Sequence, residues 1–183
     1  DPGRDLPPLR INIPISQYVL DATVADEGDY YDFLDEPPVE RVERIYSVDE
    51  VKYSARIRDK VRRIDMDTLT FETGSANIPR DQVDDLGGVA DAMARILEQN
   101  PGETFLIEGH TDAVGSDQSN LILSDERAET VANALSSVYG IPPENLATQG
   151  YGERYLKVRT QGPERLNRRV TIRRITPLIS PVA

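Results

Sequence analysis

The strongest constraint on the fold is an alternation of two periods along residues 81–175. Between Asp81 and Gln99, the apolar residues Val83, Leu86, Val89, Ala90, Met93, Ile96 and Leu97 recur at helical spacing and form one buried stripe. Asp81 is the expected N-cap, and Asn100-Pro101-Gly102 is a firm stop. Residues 104–108 (Thr-Phe-Leu-Ile-Glu) then read as a strand closed by Gly109. A second helix is predicted over 117–139, with Leu121, Ser124, Ala128, Val131, Leu135 and Val138 on one face. Gly140 is its terminating glycine, and Pro142-Pro143 prevents continuation. Residues 146–151 and 169–175 are the next strands, the latter with Val170 and Ile172 on one face and Arg169, Thr171 and Arg173 on the other. A strand is also expected over 64–71, because Thr68-Leu69-Thr70-Phe71 has strong β propensity. Gly87 and Gly88 weaken their helix by about 1 kcal/mol each relative to Ala, and are expected to allow close packing on a sheet. The order β-α-β-α-β-(α)-β, with room for a short helix in the loop 153–168, predicts an α+β sheet with helices packed on it.

Residues 1–61 read differently, as an N-terminal extension, partly flexible and partly packed on the domain. Six of the 13 prolines fall here (Pro2, Pro7, Pro8, Pro14, Pro37, Pro38). Leu9, Ile11, Ile13 and Ile15 alternate as in a strand, which Pro14 restricts to a sheet edge. The stretch 26–36 carries six acids around Tyr30, Tyr31 and Phe33. With no positive partner in the segment, it is expected to stay solvent-exposed. Ser47-Val48-Asp49-Glu50 is a capping-box pattern that predicts a short helix ending near Tyr53, with Ser54 capping a further turn or two. The apolar residues Val42, Ile45, Tyr46, Val48 and Val51 are expected to pack on the main domain.

Chemistry is narrowed mostly by exclusion. The 183 residues carry 21 Lys+Arg against 32 Asp+Glu, a net charge of -11, which argues against general nucleic-acid binding and against docking on an anionic membrane. No apolar run approaches the ~18 residues of a spanning helix. There is no Cys, and none of the phosphate-binding or nucleophile-elbow motifs occurs. The chain begins without an export-signal pattern, as expected of a cytosolic protein or of one whose signal has been removed. The single histidine, His110, cannot build a multi-histidine metal site and reads as a hydrogen-bonded structural residue. No enzymatic activity, metal or cofactor is expected. What remains is Asp112, where a strand leaves the sheet, and Arg127, two to three turns into the helix that returns over it. Such a pair either lines one groove beside the loop or forms a plain ion pair, worth about 0–1 kcal/mol if exposed.

Further residues resolve that choice by resemblance. Phe71-Glu72-Thr73-Gly74-Ser75-Ala76-Asn77-Ile78, "IEGHTDAVG", "LSDERA" after Asn120, "YGIPPENL", "TQGYGE" and "NRRV" at 167–170 follow one another in order. The chain resembles the OmpA-like C-terminal domain, a peptidoglycan-binding module of Gram-negative cell envelopes, over about residues 62–176, which leaves 177–183 as a tail. The resemblance implies an α+β sandwich of one mixed sheet with helices on one face. It implies non-covalent binding of peptidoglycan through the meso-diaminopimelate of the stem peptide, Asp112 taking the ammonium and Arg127 the carboxylate. Gly74, Thr111, Asn120 and Arg168 are the implied supporting contacts. Glu164 stands where the family often has Arg. The implied location is the periplasm, in association with the outer membrane. The membrane anchor is expected outside this chain, since 61 residues are too few for an eight-stranded barrel with strands of about 10 residues. The competing reading is a protein-interaction module on the same fold, with Tyr30, Tyr31 and Phe33 as an aromatic patch.

Overall fold

The computed structural model describes residues 18–180. Five strands form one mixed sheet in the order β1 (Val19–Asp21), β2 (Arg63–Asp65), β5 (Val170–Arg174), β3 (Phe105–Gly109) and β4 (Leu146–Gly150). β1 runs parallel to β2, and β3 runs parallel to β4. β5 is antiparallel to both of its neighbours, β2 and β3. The helices are α1 (Glu27–Asp35), α2 (Val48–Tyr53), α3 (Ala55–Arg58), α4 (Arg80–Val83), α5 (Gly87–Gln99), α6 (Asp117–Ser137) and α7 (Thr176–Ile179). Among the described residues, no helix is long and apolar enough to cross a membrane.

The α+β class and the mixed sheet are as expected, and the long helices share one face. There Phe105 and Ile107 of β3 and Val170 and Ile172 of β5 meet Val89 and Met93 of α5 and Val131 and Leu135 of α6. The opposite face is covered too. Leu106 packs with Val51 of α2, Val61, Ile175 and Leu178 of α7, so the extension and the segment after β5 close a second apolar layer. Residues 176–179 are therefore a packed helix rather than a tail. The capping box is formed, with Ser47 N–H donating to Glu50 Oε1 (3.1 Å) and Glu50 N–H to Ser47 Oγ (3.1 Å). Ser47→Ala is expected to cost about 1 kcal/mol, read as faster amide exchange at Val51, whose N–H bonds the Ser47 carbonyl.

Four expectations need correction. First, the 64–71 strand is only Arg63–Asp65. Met66 N–H still bonds the Val170 carbonyl of β5, but at 70–71 side chains take the backbone groups: Gln82 Oε1 accepts from Thr70 N–H (2.8 Å), and the Phe71 carbonyl accepts from Arg168 Nε (2.7 Å). Leu69 and Phe71 are buried from a loop. Second, the 81–99 helix is broken by a 3-10 turn at Asp84–Leu86, and its first piece is preceded by Pro79, not capped by Asp81. Third, Gly88 packs against a helix and not against the sheet, since a Cβ there would stand 2.7 Å from Cε2 of Tyr30 in α1. Fourth, the 26–36 stretch is not simply exposed. It is helical, with Tyr30 and Leu34, one turn apart, at 6% and 4% exposure in the main core. Its positive partners come from elsewhere: Arg95 lies 4.3 Å over the Tyr31 ring, and Arg62 lies 6.0 Å from that of Phe33. The strand expected from Leu9, Ile11, Ile13 and Ile15 lies outside the described residues, though Val19 and Leu20 belong to β1 at the sheet edge.

Candidate functional site

The C-terminal end of β3 is where the chain departs from regular pairing. α6 lies so close to this end that a Cβ on Gly109 would fall 1.8 Å from the Ser124 carbonyl oxygen, and one on Gly150 of β4 would fall 2.3 Å from Asp125 N. Only glycine fits at either position. Side chains of α6 then hold the turn after β4: Asp125 Oδ1 accepts from Gly150 N–H (2.6 Å) and Ser124 Oγ from Gly152 N–H (2.8 Å). With β3 and β4 pinned beneath α6, residues 110–112 emerge at a fixed point, His110 N–H on the Arg169 carbonyl and Thr111 N–H on that of Gly152.

Asp112 is 3% exposed. Its Oδ2 accepts from Arg168 Nη1 at 2.7 Å and from Glu164 N–H at 3.2 Å, and its Oδ1 accepts from Val114 N–H at 3.2 Å. Burial opposes its charge, but Arg168 and the two backbone donors outweigh that and hold the carboxyl below its ordinary range. Asn120 Nδ2 donates to the Val114 carbonyl (3.1 Å) and to Glu153 Oε1 (3.1 Å), closing the loop between β3 and α6. The Thr111 hydroxyl is turned inward, donating to the Asp112 carbonyl (2.9 Å).

Arg127 is fully buried, at 0% exposure. It donates from Nε to the Ser75 carbonyl (2.8 Å), from Nη1 to that of His110 (3.0 Å) and from Nη2 to that of Glu72 (3.1 Å), and lies 4.9 Å over the Phe71 ring. Gly74, at φ +76°, forms the turn that presents the Glu72 and Ser75 carbonyls to it. Desolvation lowers the guanidinium to about 10, partly offset by the field of Asp112. Among the described residues no carboxylate forms an ion pair with it.

Asp112, Asn120, Arg127, Arg168, Thr111 and Gly74 are thus brought to one end of the sheet. Two details differ from the sequence reading. Asp112 pairs with Arg168 rather than with Arg127, and both Asp112 and Arg127 are covered rather than lining an open groove. Glu164 contributes its backbone N–H, while its side chain accepts from Leu166 N–H (3.1 Å). The Glu72 and Ser75 carbonyls and the Glu164 N–H were invisible in the sequence, because backbone groups carry no residue signature.

The family model for OmpA matches residues 70–169, more than half of the chain and all of this site except its β5 flank. The chain belongs to the OmpA family. Among OmpA-family relatives, it is 33% identical over 94 residues to outer membrane porin F of Pseudomonas aeruginosa, covering 51% of this chain and 25% of that one. It is 37% identical over 62 residues to the peptidoglycan-associated lipoprotein of Legionella pneumophila, covering 34% of this chain and 35% of that one. The chain thus spans about a third or less of these two relatives. The solved peptidoglycan-associated lipoprotein of Burkholderia pseudomallei aligns at TM-score 0.46 and 23% identity, over 56% of this chain and 84% of that one.

Behind the same strand end lies His110, 2% exposed, its ring stacked on Tyr151 (centroids 5.6 Å) and its Nε2 3.5 Å from Glu108 Oε1. Among the described residues its only polar side-chain neighbour within 3.5 Å is Glu108, a weaker contact than the hydrogen bond expected from sequence. Burial, then the Arg169 charge, lower its imidazole to about 4 against the pull of Glu108. The native form therefore refuses a proton that the unfolded chain accepts below about pH 6.5. Stability from this group is complete above that pH and falls as pH drops toward 4, by about 2–3 kcal/mol at pH 4.5. Because His110 is the only histidine, its single imidazole resonance is expected to stay neutral down to about pH 4. Urea unfolding at pH 7 and 4.5 should show the loss, and His110→Gln should flatten it. A midpoint near pH 6.5 would contradict the burial.

Proposed function

We propose that the chain is a non-enzymatic, periplasmic peptidoglycan-binding module, tethering an outer-membrane anchor to the wall through residues 62–176. The ligand is the meso-diaminopimelate of the stem peptide, its ammonium on Asp112 and its side-chain carboxylate toward Arg127. Asn120, Thr111, Gly74 and Arg168 support the loop that holds it. The observation that carries this reading is the pairing of opposite, water-excluded charges at one strand end. Asp112 is anionic and hydrogen-bonded, and Arg127 is a buried cation whose hydrogen bonds among the described residues go to carbonyls, with no ion pair. A zwitterion brings Arg127 the anion it lacks, while its ammonium takes the place of Arg168 on Asp112. Because both groups are covered, the ligand ammonium displaces Arg168 Nη1 from Asp112 Oδ2, while Arg168 Nε keeps its bond to the Phe71 carbonyl. The names of the relatives, outer-membrane and peptidoglycan-associated proteins, agree with this chemistry.

The competing interaction-module reading loses its patch, since Tyr30 is buried and the Tyr31 hydroxyl accepts from Gln99 Nε2 (2.6 Å). The test is co-sedimentation with purified sacculi. Retention in the pellet, with no new muropeptide released with or without divalent metal, is expected. A protein left in the supernatant, or one that cleaves, contradicts the reading.

A further inference from the structure

The second sheet face holds a cluster of charge that wall binding does not use. Glu108, Arg58, Arg169 and Arg173 are each at most 4% exposed, between the sheet and the α2–α3 segment. Glu108 is paired with Arg173 and lies 3.9 Å from Arg58 Nε, and Arg173 also pairs with Asp59 at 3.1 Å. Asp65, beside them, is shared between Arg63 (3.1 Å) and Lys157 (2.7 Å).

Arg169 is left over. Its Nη2 donates to the Tyr155 carbonyl (3.0 Å), but among the described residues its Nε and Nη1 have no hydrogen-bond partner, and neither does Arg58 Nε. These donors border a cavity of about 70 Å³ that His110 also lines. Four arginines and two carboxylates line it, and Asp65 beside them offsets part of the charge on Arg63 and Arg169, which leaves a smaller positive surplus beside a neutral imidazole. The cavity shares Arg63, Tyr155 and Arg169 with an open groove of about 470 Å³ that also carries Arg154, Lys157 and Arg159. Cationic lining on a chain of net charge -11 is a local arrangement that the overall composition opposes.

We propose that this cavity and groove form a second binding site, for an oxyanion-terminated ligand whose phosphate or carboxylate head enters the cavity and meets Arg169 and Arg58. The cavity admits one such head or about two waters, each of roughly 30 Å³. Buried guanidinium N–H groups left unmade are costly, and an oxyanion satisfies several at once. The body of the ligand lies in the groove along Arg154 and Arg159, both on the exposed side of Tyr155.

The probes are inorganic phosphate and acetate, against chloride at matched ionic strength, in the full chain. The His110 imidazole resonance is expected to shift saturably with phosphate, acetate or both, and not with chloride. Whichever oxyanion acts identifies the head group. At about five times its Kd it should raise Tm by about 2–4 °C. Arg169→Gln should abolish the shift. Should that variant fail to fold, R154Q/R159Q, altered only on the exposed groove, should weaken binding at least threefold. Asp112→Asn should leave the response intact, which separates this site from the wall-binding reading. An unmoved resonance, an equal response to chloride, or full binding by folded Arg169→Gln or by R154Q/R159Q overturns the proposal.

Discussion

Glu108→Ala is expected to lower stability by about 3–5 kcal/mol. The carboxylate is 2% exposed, with Arg173 and Arg58 on one side and His110 on the other. Burial opposes its charge, yet Arg173, His110 and Arg58 together hold it well below the ordinary carboxylate range. Removing it takes a carboxylate from two buried guanidinium groups, and of the two only Arg173 keeps another anion among the described residues. Arg173 retains Asp59 and the Arg58 and Val61 carbonyls, so the chain still folds but with a lower denaturant midpoint and an unchanged m-value. The double variant Glu108→Leu/Arg173→Met should lose less than Glu108→Ala alone, since apolar side chains of similar volume replace a buried pair at little cost. A loss below about 1 kcal/mol for Glu108→Ala would mean that this layer is solvated.

Asp112→Asn is expected to weaken sacculus binding by about 30-fold or more while leaving the fold in place. Asparagine keeps the shape, and its one carbonyl oxygen can stay on Val114 N–H where Oδ1 stood, while the contacts that Glu164 N–H and Arg168 make to Oδ2 are lost. It loses the charge, and truncating a buried charge pair costs binding about 2–5 kcal/mol. Arg127→Ala is a poorer probe than it looks in the sequence. It would leave the Glu72, Ser75 and His110 carbonyls without their donor, so lost binding would be confounded with lost structure. Sacculus binding by folded Asp112→Asn at the wild-type level would remove Asp112 from the site.

The elements that were readable from sequence are those whose burial is one-sided and apolar. The helical stripe through Val89, Met93 and Ile96, and the run Phe105-Leu106-Ile107, announce themselves because one face meets water and the other does not. α1 was hidden because Tyr30 and Leu34 are two buried residues among six acids, and their packing partner, Gly88, is far away in sequence. The second sheet face was hidden for a related reason. Arg169, Thr171 and Arg173 look like a solvated strand face, and the groups that hold the two arginines there, Glu108 and Asp59 on Arg173 and the Tyr155 carbonyl on Arg169, come from other elements. The candidate site was legible as an ordered set of motifs, down to Asp112, Asn120, Arg127 and Arg168. Its closure was not, because the covering contacts come from carbonyls and from the Glu164 N–H.

These points bear on residues 1–40. This region includes β1, which pairs with β2, and α1, which packs on α5 through Tyr30. Its described part is therefore structural cover for the main core rather than a loose spacer.

The central claim is recognition of a zwitterionic side-chain end, and one titration tests it most directly. Calorimetry of the intact chain with two soluble stem peptides, one bearing meso-diaminopimelate and the other lysine at the same position, isolates the carboxylate that Arg127 is assigned. Both peptides carry the ammonium for Asp112, and only the first carries the side-chain carboxylate. Binding of the diaminopimelate peptide, with the lysine peptide at least tenfold weaker, is the predicted result. Equal affinity for the two, or no heat with either, would contradict the account.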